Sequence, residues 1–203
     1  MKENGSLLPT LDRLFAGPPD SRLTIAAFLE GLETRSFAFI VAALVLPNCI
    51  PTGIPLLSTV TGIPMVLVVA QAYLGRTTPR LPDYLGRRAL QRGRLQDFLV
   101  RVRPHIERLE AAIHPRQHWW VKGVQRRALH GASSLMIVIL ALPIPFDNLF
   151  AAWAILFFCL ALLEGDGVMA MLGWLLTLAT LAWTALLLIV GPMVVIGIVK
   201  SLL

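Results

Sequence analysis

Asp147 is the residue whose position most invites chemistry. It is the sole charge between Gly131 and Leu163, it follows Pro143 and Pro145, and Asn148 stands beside it. A carboxylate in an apolar phase is costly unless paired, hydrated or protonated, so it is a candidate proton or ion site. The competing reading is a solvated Asp147 on a turn that reaches water. Asn48 sits at the equivalent turn of an earlier apolar block, and Ser58, Thr59 and Gln71 lie on the limb that follows. Ser and Thr in such limbs usually bond their own backbone, whereas an amide has two ends to satisfy, which favours Gln71 over the hydroxyls. Asp147, Asn148, Asn48, Gln71, Ser58 and Thr59 are the candidate lining of a substrate or ion path.

Other chemistries find little support. His105, His114, His118 and His130 all lie on one basic segment. His114 and His118 have helical spacing, but Pro115 interrupts them and no acidic ligand is near, so no metal site is assigned. There is no HExxH, no paired cysteine motif and no G-x-S-x-G. The two cysteines, Cys49 and Cys159, fall in apolar stretches and read as buried thiols. No cofactor and no catalytic residue is expected.

The elements that would hold such a path are set by composition. Of 203 residues, 56% are apolar and 15% charged, against about 25% charged in an ordinary soluble domain. Mean hydropathy is +0.71. One soluble core of this size could not hide that surface. The sequence therefore predicts an all-α integral membrane protein.

Residues 36–75 carry no charge, too long a run for one span of about 20 residues. Pro47, Pro51 and Pro55 break it beside Asn48, Thr52 and Gly53. This predicts a helix over 36–46, an irregular turn over 47–54 and a helix over 55–74. The first limb is about 17 Å long, short of a core of about 30 Å, so a re-entrant hairpin is expected. Residues 131–163 repeat the logic around Pro143 and Pro145. Leu46-Pro47 matches Leu142-Pro143, and Gly75 matches Gly165, at offsets of 96 and 90 residues. Paired interrupted segments of this kind point to a binding site in transporters. Glu164 and Asp166 mark the second exit and read as hydrated, with pairing to the arginines of the middle segment as the alternative. A full span over 168–190 follows, then Gly191-Pro192 and a short tail.

Between the two blocks, residues 76–130 hold 13 basic and 4 acidic residues. Such charge beside membrane segments stays cytoplasmic. Membrane on both sides favours anionic headgroups over nucleic acid, with Arg76, Arg87, Arg88, Arg126 and Arg127 as contact candidates. Leu95, Phe98, Leu99, Val102, Ile106, Leu109 and Ile113 form one helical face. That helix suits the membrane surface or a partner helix. Trp119 and Trp120 read as an interfacial anchor. Residues 1–35 form a cytoplasmic arm with a short amphipathic helix over 20–34. They lack the apolar core of a cleavable signal peptide, so the membrane segments are expected to do the targeting. The units are thus 1–35, the hairpin 36–75, the basic segment 76–130, and 131–203 with the second hairpin and the C-terminal span.

The stretches PLLSTVTGIP (55–64), AQAYLGR (70–76), LPIPF (142–146) followed by Asn148, and LLEGDG (162–167) resemble the ExoD family of bacterial exopolysaccharide-synthesis proteins. The similarity runs over roughly 20–200. It implies a multi-pass inner-membrane protein linked to exopolysaccharide production and supplies no reaction. Two functions follow as expectations. One is a small transporter of an ion, a proton or an anionic lipid carrier such as a polyprenyl phosphate. The other is a non-catalytic scaffold or accessory subunit of a polysaccharide complex. A homodimer would enclose a cavity that one copy of so few spans does not.

Overall fold

The computed structural model describes residues 7–50, 57–76, 78–112, 118–121, 123–142 and 147–202. Most of them are helical. The first helices are α1 (Leu7–Phe15), α2 (Ile25–Gly31), α3 (Ser36–Val45) and α4 (Leu57–Tyr73). Then come α5 (Asp83–Gly86), α6 (Arg92–Ala112), α7 (Gly123–Ala141), α8 (Asp147–Glu164) and α9 (Gly167–Leu202). Two short strands, β1 (Arg22–Thr24) and β2 (Ala89–Gln91), pair antiparallel with Leu23 opposite Leu90.

Helices α3, α4, α7 and α8 form a closed ring. α3 packs on α4 and α8, and α7 packs on the same two helices. α3 is apolar all round (SFAFIVAALV), the mark of a helix that neighbours surround. It ends in a 3-10 turn over Leu46–Cys49 whose first positions hold Pro47, where a missing N–H costs nothing. The ring is filled by Val41, Val45, Met65, Met136, Ile137, Leu140 and Ile155, none more than 2% exposed. Small residues let the helices close. A Cβ on Gly62 of α4 would sit 3.1 Å from Ala141 Cβ of α7.

Both hairpins end on glycine. Gly75 and Gly165 have φ of 82° and 71°, the left-handed conformation that glycine adopts without strain. After α4, Gly75 N donates to Ala72 O and Arg76 N to Gln71 O, a Schellman closure. After α8, Gly165 N donates to Ala161 O, the simpler left-handed closure. The exits matched in the sequence thus share one backbone device.

α9 packs along α8, and α1, β1, α2, α5, β2 and α6 form a layer at the base of the ring, where α4 leaves and α7 begins. α1 lies on α6 through Leu8, Leu11, Phe15, Leu23 and Leu99. Its last carbonyls are capped from α6. Arg92 Nη1 donates to Leu14 O at 2.6 Å and Ala16 O at 2.8 Å, and Gln96 Nε2 to Phe15 O at 2.8 Å. Arg103 also pairs with Asp12. Phe28 joins this layer to the ring, stacked on Phe15 at 5.6 Å and edge-on to Phe39 of α3 at 5.4 Å.

Several expectations are corrected. The helix expected over 20–34 is the strand β1 followed by α2, with Thr24 capping Ala27 N. The apolar face of α6 meets a helix of the same chain, the partner-helix alternative, rather than a membrane surface: Leu95, Leu99, Val102 and Ile106 pack with Leu8, Leu11 and Phe15, while Phe98 is 59% exposed. The side chain of Leu109 and all of Ile113 lie outside the described residues. The helix α9 does not stop at Gly191-Pro192 but runs through them to Leu202, 36 residues in all, because one proline removes only one backbone donor. Glu164 and Asp166 are 7% and 2% exposed rather than hydrated. Asp166 Oδ1 accepts Val168 N at 2.7 Å and so caps the start of α9.

Among the described residues, α9 is the one helix long and apolar enough to cross a membrane, over Gly167–Val190. Around the ring the outward positions are also apolar. Val60, Ile63 and Leu67 of α4 and Leu135 and Val138 of α7 are all at least 45% exposed.

Candidate functional site at the hairpin tips

Four of the six residues singled out in the sequence meet at one end of the ring. Asn48 closes the turn after α3, Ser58 and Thr59 open α4, and Asn148 opens α8. Asn148 Nδ2 donates to Ser58 Oγ at 3.2 Å, joining the two hairpins. Thr59 Oγ1 donates to Ala141 O at 3.1 Å, a second bond between them. Asn48 Nδ2 donates to Thr61 Oγ1 at 2.9 Å and to Leu44 O at 3.4 Å, closing the first tip on itself. Thr61 in turn donates to Leu57 O at 2.9 Å. Asn48 and Ser58 are each only 9% exposed.

One group in this seam is unsatisfied. Asn148 Oδ1 is buried and has no hydrogen-bond partner among the described residues. A buried amide oxygen with no donor costs about 1–3 kcal/mol. It is a spare acceptor beside the neutral hydroxyl of Ser58. Asp147 is the first residue of α8; its side chain lies outside the described residues, as do Pro51, Pro55, Pro143 and Pro145.

Gln71 is not part of this seam. It sits one turn before the opposite end of α4, where its Oε1 accepts Arg80 N at 2.7 Å and its Nε2 donates to Leu67 O at 3.2 Å. It pins the loop that follows α4. Arg76, Arg87, Arg88, Arg126 and Arg127 also lie at the base, all exposed except the half-buried Arg126. Tips and cations therefore occupy opposite ends of the molecule.

Trp119 and Trp120 stack at 4.4 Å. Trp119 is 58% exposed, while Trp120 packs beside Leu129, Phe158 and Ala170. Among the described residues no group of three His, Cys, Asp or Glu could hold a metal. Sequence reasoning passed over Glu30, Arg80 and Asp83, which with Arg87 line a basal cavity of about 460 Å³. The usable signal was local: Pro79 and Pro82 bracket Arg80 and fix a loop there.

Fold and site together define a helical protein with an apolar perimeter, one helix of membrane-crossing length, a neutral polar seam at one end and a cationic base at the other. The chain belongs to the ExoD family: the family profile described as "Exopolysaccharide synthesis, ExoD" matches residues 7–186. It is 29% identical to Protein ExoD of Rhizobium meliloti over 189 residues, covering 90% of this chain and 77% of that protein. It is 27% identical over 158 residues to the uncharacterized protein slr1875 of Synechocystis, covering 77% of this chain and 74% of that one. No solved structure matches. The family links this chain to exopolysaccharide synthesis.

Proposed function

We propose that the chain is a multi-pass inner-membrane protein of exopolysaccharide synthesis. Its two hairpin tips form the site of a small transporter for an ion, a proton or an anionic lipid carrier. The observation that carries the reading is the buried Asn148 Oδ1, without a hydrogen-bond partner among the described residues, in a seam where neutral polar groups bond one tip to the other. Such a seam between apolar helices is where a polar solute would find partners. Asp147, next to it in sequence, would supply the titratable group.

Helix lengths support hairpins that enter and leave on one side. The 18 residues of α8 reach about 27 Å and the 36 of α9 about 54 Å, so α8 falls just short of a core of about 30 Å while α9 exceeds it. The ring supports a duplication. Exchanging α3 with α7 and α4 with α8 maps its packing onto itself, and both copies close on a left-handed glycine. Both tips point the same way, so the copies are parallel, as in repeats related by an axis along the membrane normal. The arginines at the base place 76–130 in the cytoplasm on this reading, facing anionic headgroups. A second copy would help enclose the path.

Proteoliposomes test this. Purified protein should carry protons, read by an entrapped pH dye, or a labelled anionic polyprenyl lipid above the rate of empty vesicles. Asn148→Leu should abolish that flux with folding intact, and Asp147→Asn should abolish proton flux. Wild-type vesicles no leakier than empty ones for either solute would remove the transport reading.

A second reading is a non-catalytic scaffold of a polysaccharide complex. It is favoured by the hydrogen bonds that Asn48, Ser58 and Thr59 already make, which knit the tips together without a ligand. It predicts partner proteins that copurify with the wild type and are lost when the basal layer is altered.

A further inference from the structure

The basal cavity of about 460 Å³ lies between α2, the loop after α4 and α5. Its charges are balanced: Arg80 and Arg87 on one side of the account, Glu30 and Asp83 on the other. Among the described residues none of these four makes an ion pair, although Arg103 at the far side of the layer does. Thr24 and Thr78 add hydroxyls to the lining. The backbone of the walls is fixed, while the four charged side chains are exposed. Gln71 holds Arg80 through its backbone, Ile25 N donates to Arg88 O at 3.0 Å, and Pro79 is buried.

The chemistry of the occupant follows from that balance. A simple anion would meet the two carboxylates, and a simple cation the two guanidiniums. A zwitterion carrying a phosphate and a primary ammonium satisfies both sets, since guanidinium forks match phosphate and carboxylates accept from ammonium. The position selects the source. Immediately before this loop α4 leaves the ring, with Tyr73 and Leu74 at 65% and 77% exposure, an aromatic and an apolar side chain suited to an interface. We propose that this cavity binds the headgroup of an ethanolamine phospholipid, with its acyl chains lying along the end of α4. The inference rests on the membrane reading given above and adds to it a site selective for one lipid class.

The test uses the full chain in detergent, titrated with short-chain phosphatidylethanolamine, phosphatidylglycerol and phosphatidylcholine, and with water-soluble glycerophosphoethanolamine. Phosphatidylethanolamine should bind with the highest affinity. Arg87→Ala should weaken it roughly tenfold, the effect of losing one charge-assisted contact. The double variant Glu30→Gln with Asp83→Asn should weaken phosphatidylethanolamine and strengthen phosphatidylglycerol, because it removes the ammonium partners and unmasks the arginines. This crossover also controls for folding, since a misfolded variant loses both lipids. Equal affinity for the three lipids, or no crossover in the double variant, overturns the inference. Alkaline carbonate washing of membranes keeps the two readings apart. Protein that stays in the pellet without headgroup selectivity sinks the cavity proposal alone. Protein released by the wash, binding the soluble headgroup compound as well as the lipid, overturns the lipid source and with it the membrane reading.

Discussion

Ser58→Ala is the sharpest probe of the seam between the hairpins. The wild-type Asn148 amide is half satisfied: Nδ2 reaches Ser58 Oγ at 3.2 Å, and the buried Oδ1 reaches nothing described. Removing the hydroxyl leaves both ends of the amide without a described partner. Leaving a buried polar group unpaired costs about 1–3 kcal/mol. For a chain of about 200 residues, each kcal/mol moves the midpoint of thermal unfolding by roughly 2–4 °C, so Ser58→Ala should lower it by about 2–12 °C. Asn148→Leu acts differently, because it removes the unsatisfied oxygen together with the donor and leaves only the rotatable Ser58 hydroxyl; the double variant replaces the whole polar pair by apolar groups, which can be neutral or stabilising. The double variant Ser58→Ala with Asn148→Leu should therefore be more stable than Ser58→Ala alone. The protein carries its own reporter: Cys49 and Cys159 are free and buried, so a thiol-reactive dye follows opening of the ring with temperature. Ser58→Ala melting at the wild-type temperature, or the double variant melting below Ser58→Ala, would refute the unsatisfied amide. A neutral or stabilising Asn148→Leu that loses flux would show the amide to be kept for function rather than for stability.

Two further substitutions probe how α9 is seated. Gly173→Ala places a Cβ 2.6 Å from Phe158 Cδ1 and Cε1, in a ring with no exposure that is edge-on to Trp174 at 5.6 Å. Overpacking of this kind costs about 1–3 kcal/mol, and Phe158→Leu in the same chain should recover most of the lost melting temperature. Asp166→Ala removes the cap of α9 and should cost at least about 1 kcal/mol, whereas Asp166→Asn, which keeps an oxygen for Val168 N, should cost less in the same melting assay.

The parts of the fold written locally could be read from the chain. Pro47 after ten apolar residues ends α3 within one residue of the expected limit, and glycines at 75 and 165 end α4 and α8, because each acts through its own backbone. α1 could not be read this way. It is short, and its terminal carbonyls are satisfied by Arg92 and Gln96, more than 75 residues away. No local window contains that information. The same distance hid what covers α6, whose apolar periodicity was plain and whose partner was not.

The site shows the same division with one instructive exception. Polar side chains in apolar limbs must find partners, and that rule put Asn48, Ser58, Thr59 and Asn148 among the candidates, although it ranked the two hydroxyls below Gln71. The Asn148–Ser58 bond spans 90 residues. Applied to Gln71, the rule favoured a residue at the end of α4 away from the tips, because an amide can be satisfied by the chain that immediately follows it. Arg80, only nine residues on, takes both ends of Gln71. Need for a partner is thus legible in a sequence, and the partner's identity is not. A polar residue that the following turn can satisfy is a weaker functional candidate than one still unmatched after folding. By that standard Asn148, whose oxygen is still unmatched after folding, stands apart from Gln71, whose needs the fold has already met.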